Sequence, residues 1–233
     1  MLTVLRECFM AQNNRHFVLS LMVTEERAQL YQFDRSGVRR FATVNIHQQP
    51  DEFVRLVVGI ASQDDKGVGF DTSVFWRSNQ RYIRTHNELG ESIEYPLADD
   101  AVQYATKRGN ISPGTTCWNA VGHDGVPLLI KDSWRSTQEQ SEAELLQNLR
   151  GLDGVVQMVS YENGPCLSEL TGIDHADFGG AMLVRCRIVM KAYGKTITHF
   201  TSREEFLYAF RDAVAGEFFS SVFINRYYAN GIE

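Results

Sequence analysis

The middle of the chain reads Gly114-Thr-Thr-Cys-Trp-Asn-Ala120, then Leu128-Leu-Ile-Lys-Asp-Ser-Trp-Arg135, then Ser141-Glu-Ala-Glu-Leu-Leu146. The first stretch opens with a glycine turn, and the second is an apolar strand that reaches Lys131. The third belongs to a predicted helix, which carries Glu142 on its apolar face. This order of a glycine turn, a strand with a lysine and a helix with a glutamate is the most informative feature of the sequence.

The predicted helix has start and stop signals. Ser136 followed by Glu139 fits a capping box, and Gly151 suits the end of the helix. One face of the helix, at positions i, i+3, i+4 and i+7, carries Glu142, Leu145, Leu146 and Leu149. A carboxylate on an apolar face needs a cation, and Lys131 is the nearest upstream candidate. We therefore predict a Lys131–Glu142 pair; the alternative, that Glu142 lies at the edge of the stripe and reaches water, stays open.

Strand patterns surround these stretches. After residue 101 we predict strands at 102–107, 115–121, 126–131, 155–159 and 182–190. In the last of these strands Arg185 and Arg187 alternate with apolar residues, which predicts a solvated face. Ser202 followed by Glu205 fits a second capping box, and it begins a predicted long helix over 203–227 with an apolar face.

The first hundred residues are predicted to mix helix and strand. Alternating or apolar patterns predict strands at 17–23, 28–34, 38–46, 80–85 and 92–97. A turn at 35–37 joins two of these strands into a hairpin, and Pro50 begins a helix at a first-turn position. The chemistry of this region is uninformative on its own.

Composition and charge limit the class of protein. The chain has 233 residues, of which 43% are hydrophobic and 22% charged, as is typical of a globular protein with a buried core. A formal net charge of -6 argues against non-specific binding of nucleic acid. The four cysteines and six histidines lack the spacing of a metal site or a disulfide framework. With no signal peptide or membrane-spanning window, we expect an intracellular protein, in the cytoplasm or nucleus, with reduced thiols.

Taken in order, these residues resemble the fungal-type protein kinase domain family. The most specific matches are Gly114-Thr-Thr-Cys-Trp118, Ile130-Lys-Asp-Ser-Trp-Arg135 and Glu142-Ala-Glu-Leu-Leu146. Other matches are Arg15-His-Phe-Val-Leu-Ser-Leu21, Phe33-Asp-Arg-Ser-Gly37, Gly69-Phe-Asp71, Phe200-Thr-Ser202 and Asp212-Ala-Val-Ala-Gly216. The resemblance covers most of the chain.

The resemblance implies an α+β fold in three parts. Residues 1–100 would form a mixed N-terminal α/β region. Residues 101–200 would form a kinase-like small lobe, an antiparallel sheet plus one helix, together with the connector between lobes. Residues 201–233 would form the first long helix of a large lobe.

The resemblance also implies roles for individual residues in binding ATP. The implied ATP-binding residues are Gly114, Thr115, Thr116, Lys131 and Met190. The glycine turn and the backbone amides that follow it would cover the phosphates, and Lys131 would contact the α- and β-phosphates. Glu142 would hold Lys131 in place, Met190 would lie in the connector, and 126–130 would line the adenine pocket.

Two departures from the family pattern affect the expected activity. Ser112 and Pro113 precede Gly114, so one expected glycine is a serine and the phosphate grip should be poorer. No catalytic loop with His-Arg-Asp and no Asp-Phe-Gly-like metal site follows the predicted long helix before Glu233. We therefore expect the chain to be inactive alone, and Mg²⁺ to bind only if a large lobe were present.

Three functional hypotheses follow. The first is a fungal-type protein kinase, which transfers a phosphoryl group from ATP to protein Ser or Thr and of which this chain is the N-terminal portion. The second is a truncated or pseudokinase-like module that binds nucleotide or a partner protein. The third is an interaction domain that uses residues 1–100, with the kinase-like lobe as a scaffold. Partner proteins could bind 1–100 or the helix at 203–227, whereas nucleic acid and membranes are not expected partners.

Overall fold

The computed structural model describes residues 2–98, 102–104, 115–152, 155–172, 182–192, 201–208 and 210–211. The described strands form three antiparallel sheets, and short helices precede or separate the strands along the chain. The fold is mostly β and fits the predicted α+β class.

The described residues contain eleven strands and five helical segments with the following bounds. The first six strands are β1 (Phe17–Val23), β2 (Arg27–Asp34), β3 (Val38–Asn45), β4 (Val74–Arg77), β5 (Gln80–His86) and β6 (Ser92–Pro96). The remaining strands are β7 (Val102–Tyr104), β8 (Thr115–Val121), β9 (Pro127–Ser136), β10 (Met158–Cys166) and β11 (Leu183–Lys191). The helices are α1 (Leu2–Ala11), α2 (Pro50–Ile60), α3 (Glu142–Asn148) and α4 (Leu167–Thr171). Residues 203–208 are also helical.

The start of α3 differs from its prediction. Ser136 is the last residue of β9, where it pairs with Leu183 of β11, and the helix begins only at Glu142 after Ser141. The capping box assigned to Ser136 was therefore wrong, because the strand ladder continues through that residue. Half of the second capping box is confirmed, since the backbone N–H of Glu205 donates to Ser202 Oγ at 3.0 Å, whereas the Glu205 carboxylate accepts from the backbone N–H of Thr201 at 2.7 Å. Most of the predicted helix at 203–227 lies outside the described residues.

The largest sheet, here called the five-stranded sheet, has the order β10-β11-β9-β8-β7. In the chain, α3 lies between β9 and β10, and it packs on one face of this sheet. The buried residues of that contact are Ala143, Leu146, Met158, Ile188 and Met190. The helix is thus fixed beside β9 and β11.

The opposite face of the five-stranded sheet is covered by the sheet β4-β5-β6, here called the cap sheet. One hydrophobic core joins the two sheets, and its buried members are Val74, Ile83, Tyr95, Leu97, Trp118, Ala120, Leu128, Ile130 and Val189. Trp118, Ile83, Ile130 and Val189 are fully buried in it. The core therefore extends across the boundary predicted at residue 100, which itself remains a prediction.

The third sheet, β1-β2-β3, is built from the predicted N-terminal strands. Its small core contains Phe9 of α1, Val18 of β1 and Phe33 of β2. Close to it, Arg15 pairs with Phe70 in an isolated β-bridge. This bridge brings the segment before β1 next to the segment before β4.

Candidate functional site

The predicted contact between Lys131 and Glu142 is present. Lys131 Nζ in β9 lies 2.7 Å from both carboxylate oxygens of Glu142, the first residue of α3. The side chain of Glu142 is 46% exposed, so it does reach water as the alternative held. The expected inward orientation is wrong, because Ala143 and Leu146 form the buried face of the helix.

The pair borders a cavity of about 190 Å³. Ser133 and Arg135 of β9, Ser141 before α3 and Ile188 of β11 also line this cavity. An ion pair with partners this exposed stabilises a fold by only about 0–1 kcal/mol. The pair is therefore more important as a charged wall of the cavity than as a source of stability.

The threonines predicted to bind ATP lie on opposite faces of the five-stranded sheet. Thr115, the first residue of β8, lines the cavity beside Lys131. Thr116 pairs with Asp132 and its side chain is buried on the other face. Only a backbone group of Thr116 could take part in the predicted contact. Gly114 lies outside the described residues.

The residues predicted to surround adenine lie in two different cores. Met190 belongs to β11, where it pairs with Leu129 and is buried against α3. Leu128 and Ile130 are buried beneath the cap sheet, on the face away from Lys131. The expectation that 126–130 as a whole lines an adenine pocket is therefore wrong for these two residues. Met190 lies within β11, which continues through Lys191. Its role in a connector between lobes stays a prediction.

The two arginines of β11 contradict the prediction of a solvated face, because Arg185 is 7% and Arg187 0% exposed. Arg187 Nε and Nη2 donate to the two oxygens of Asp132 at 2.6 and 2.8 Å. Nη2 also donates to Asp71 Oδ2 at 3.0 Å. Nη1 donates to Ser73 Oγ and to the carbonyl of Arg84, both at 2.8 Å. All five N–H groups of this guanidinium thus have acceptors.

Further polar side chains complete what we call the arginine cluster. Its members are His16, Asp71, Asp132, Glu162, Arg185 and Arg187. Arg185 Nη1 donates to Asp71 Oδ2, and Arg185 Nη2 lies 3.5 Å from Glu162 Oε1. Trp118 Nε1 donates to Asp132 Oδ2 at 3.0 Å, which ties the cluster to the hydrophobic core. Each charged side chain of the cluster has at least one oppositely charged hydrogen-bond partner, the condition under which burial is tolerated. Arg185 Nε, however, is buried with no hydrogen-bond acceptor among the described residues.

The protonation states in the cluster follow from burial and charge together. Burial would raise the pKa of Asp71, but Arg185 and Arg187 hold it well below its usual range. Burial would lower the pKa of Arg187, but Asp132 and Asp71 keep it above its ordinary value. Burial lowers the pKa of His16 to about 4, so its imidazole is neutral at physiological pH. Asp71 and Arg187 are therefore both ionised.

The backbone around Asp71 is fixed to the segment before β1. The N–H of Asp71 donates to the carbonyl of Asn14 at 2.7 Å, and the N–H of His16 donates to the carbonyl of Gly69 at 2.8 Å. Gly69 has φ +98°, and a Cβ there would collide with the carbonyl oxygen of Phe17. Only glycine suits this position.

We predict that Gly69→Ala destabilises the chain by about 1–3 kcal/mol for the backbone strain alone, with a further loss from the collision. Urea denaturation measures the change. Gly90→Ala is the matched control, because Gly90 also has positive φ (+78°) but open space around its Cβ position. An equal loss in the two variants would show that the close approach to Phe17 does not matter.

Sequence reasoning missed the arginine cluster. Asp71 stands out in the sequence only as part of Gly69-Phe-Asp71, and alternation in β11 predicts exposure to solvent. An Asp-Phe-Gly sequence, Asp177-Phe-Gly179, does occur before β11, upstream of the expected place of a metal site, and it lies outside the described residues.

Three absences apply to the described part of the chain. No group of three or more His, Cys, Asp or Glu side chains there could hold a metal ion. The four cysteines, all within that part, form no disulfide. None of its helices has the length and apolarity needed to cross a membrane.

Comparison with known proteins gives one match. Searches among curated proteins and among solved structures found no match. A family model described as fungal protein kinase matches residues 1–165, which is more than half of the chain. The match contains Lys131 and Glu142 as well as the N-terminal segment with Asp71. The chain therefore belongs to the fungal protein kinase family.

Proposed function

We propose that the five-stranded sheet and α3 form the small lobe of a protein kinase, and that this lobe binds ATP through Lys131. The main support is the Lys131–Glu142 pair at the edge of a cavity, with Nζ 2.7 Å from the carboxylate oxygens. The position of α3 between β9 and β10 gives the order of parts expected for such a lobe. Membership in the family implies use of ATP in general.

The cavity suits the phosphate groups of a nucleotide. Its volume of about 190 Å³ is below the roughly 300–1,000 Å³ of pockets that enclose a whole ligand. Lys131 and Arg135 supply two positive charges against the one negative charge of Glu142. Hydroxyl groups come from Thr115, Ser133 and Ser141. A phosphate there would receive charge-assisted hydrogen bonds, which are stronger than neutral ones. The described residues thus form a phosphate-binding wall of the proposed site.

The roles of the pair follow from its geometry. Lys131 would donate to the phosphate oxygens of ATP, and Glu142 would hold the flexible lysine side chain in one orientation. Bound ATP would supply the phosphoryl group for any transfer. Transfer to protein Ser or Thr also needs a catalytic aspartate and Mg²⁺ ligands. Our proposal for the described lobe is therefore ATP binding, with phosphoryl transfer as the activity that the family implies for a complete catalytic site.

We expect Lys131→Met to weaken ATP binding by about tenfold or more, because a hydrogen bond to a charged group contributes about 1.5–3 kcal/mol. Glu142→Gln should weaken binding less, since the amide can still contact Lys131. Isothermal titration calorimetry of the full chain with ATP, with and without Mg²⁺, measures both changes.

The control variant is Lys66→Met, since Lys66 is exposed on a loop and does not line the cavity. It should bind ATP as tightly as the unmodified chain. The proposal is wrong if the unmodified chain shows no heat of binding with ATP, or if Lys131→Met and Lys66→Met bind ATP equally well.

A further inference from the structure

We infer that Asp71 is a positioning residue for the proposed ATP site, and that the N-terminal region holds Lys131 in place through Asp71, Arg187 and Asp132. This inference rests on the proposed function for its nucleotide readout. It assigns to the N-terminal segment a structural link to the opposite face of the five-stranded sheet.

The first step of the argument concerns β9. Lys131 and Asp132 are consecutive in this strand, so their side chains point to opposite faces of the sheet. Lys131 faces the cavity, whereas Asp132 is held by both Nε and Nη2 of Arg187. A two-point contact of this kind fixes orientation as well as distance. The backbone that carries Lys131 is therefore anchored from the far side of the sheet.

The second step concerns the other end of the link. Asp71 Oδ2 accepts from Arg187 and from Arg185, and Asp71 Oδ1 accepts from the hydroxyl of Ser73 at 2.6 Å. Asp71 is itself held by the carbonyl of Asn14 and by the tight turn at Gly69. Two family-like stretches of the N-terminal region, 15–21 and 69–71, thus meet at this carboxylate.

The third step is the effect of losing the carboxylate charge. With Asp71 neutral, Arg187 keeps Asp132 as its close carboxylate, and Glu162 Oε1 is 3.7 Å away. Asp71 Oδ2 accepts from both Arg185 and Arg187, so loss of its charge weakens the contact that holds the two guanidiniums close together. Their mutual repulsion then favours a shift of Arg187. Such a shift would pull on Asp132 and loosen β9 at Lys131. The expected effect is local, unlike that of a general loss of packing.

The test uses the full chain with Asp71→Asn, which keeps the shape of the side chain and removes its charge. Hydrogen exchange is followed in peptides that cover 128–135 and, as an internal reference, 27–45 of the N-terminal sheet. We expect about tenfold faster exchange in 128–135 with little change in the reference. ATP affinity should fall by about five- to tenfold, within the usual range of coupling between sites.

Two further variants keep the test decisive. Ser73→Ala removes one acceptor of Arg187 and one donor to Asp71 but keeps every charge, so it should fold and show a smaller change of the same kind. Glu94→Gln is the matched control, because Glu94 pairs with Arg77 and Arg84 on the solvent side of the cap sheet. It should change neither the exchange in 128–135 nor the ATP affinity.

Each result decides the inference. If folded Asp71→Asn shows unchanged hydrogen exchange in 128–135, the inference is wrong. It is also wrong if exchange becomes faster by the same factor throughout the chain, because that result indicates a purely structural role. Unchanged ATP affinity in Asp71→Asn would also overturn it. If the unmodified chain binds no ATP, the proposed function fails, and local exchange at 128–135 alone decides whether Asp71 positions β9.

Discussion

Arg187→Leu should lower the free energy of unfolding by about 3–5 kcal/mol, the usual cost of removing one partner from a buried ion pair. The substitution leaves Asp132 and Asp71 buried with fewer donors, while the apolar volume of the residue is largely kept. Urea denaturation at neutral pH measures the change. Arg55→Leu is the control, because Arg55 is 77% exposed on α2, and surface substitutions usually change stability by about 0.5 kcal/mol or less.

The same variant has a predicted pH dependence. Burial would raise the pKa of Asp71 in the folded chain, but Arg185 and Arg187 depress it below the unfolded value. The ionised carboxylate therefore stabilises the fold above the unfolded pKa, and this stabilisation is lost as pH falls through the folded pKa. The unfolded value is about 3.9. In Arg187→Leu the pKa of Asp71 should rise toward that value, so stability should fall less steeply between about pH 5 and pH 2. An unchanged pH slope would show that Arg187 does not stabilise the ionised form of Asp71.

Trp118→Ala should cost about 3–5 kcal/mol of unfolding free energy, as expected for a large aromatic side chain removed from a core. Trp118 is fully buried between the five-stranded sheet and the cap sheet, and its indole N–H donates to Asp132. Trp118→Phe should cost less, about 1–2 kcal/mol, because it keeps most of the packing and loses the hydrogen bond. Urea denaturation again provides the measurement.

The chain offers a matched control for this prediction. Trp76 of β4 is 67% exposed, so Trp76→Ala should change stability by about 0.5 kcal/mol or less. Similar losses in Trp118→Ala and Trp76→Ala would contradict a core shared by the two sheets.

The sequence was sufficient for the elements whose signals are local. Strand β8 was predicted with its observed bounds, and the hairpin of β2 and β3 was predicted from alternation around a glycine turn. The Lys131–Glu142 contact was predicted because a carboxylate on an apolar helix face needs a cation, and Lys131 is the nearest one upstream. Its exposure was misjudged, because periodicity alone does not show which part of a helix face meets the sheet.

The arginine cluster could not be predicted in the same way. Arg187 and Asp71 are separated by 116 residues, and no local pattern connects them. Alternation in β11 correctly placed Arg185 and Arg187 on one face, but a polar face can meet water or a second polar surface. The cap sheet decides between these two, and its packing on the five-stranded sheet is a tertiary property. The start of α3 was missed for a related reason, since pairing with β11 extends β9 through Ser136.

The most direct test of ATP binding at Lys131 is labelling with an acyl phosphate of ATP, which transfers its acyl group to a lysine amine that lies beside the phosphates. We expect acylation of Lys131, located by mass spectrometry, and we expect excess ATP to suppress it. Lys66 and Lys191, both exposed, should react slowly and without regard to ATP. Labelling of Lys131 that matches these lysines, or that excess ATP leaves unchanged, would contradict the proposed function.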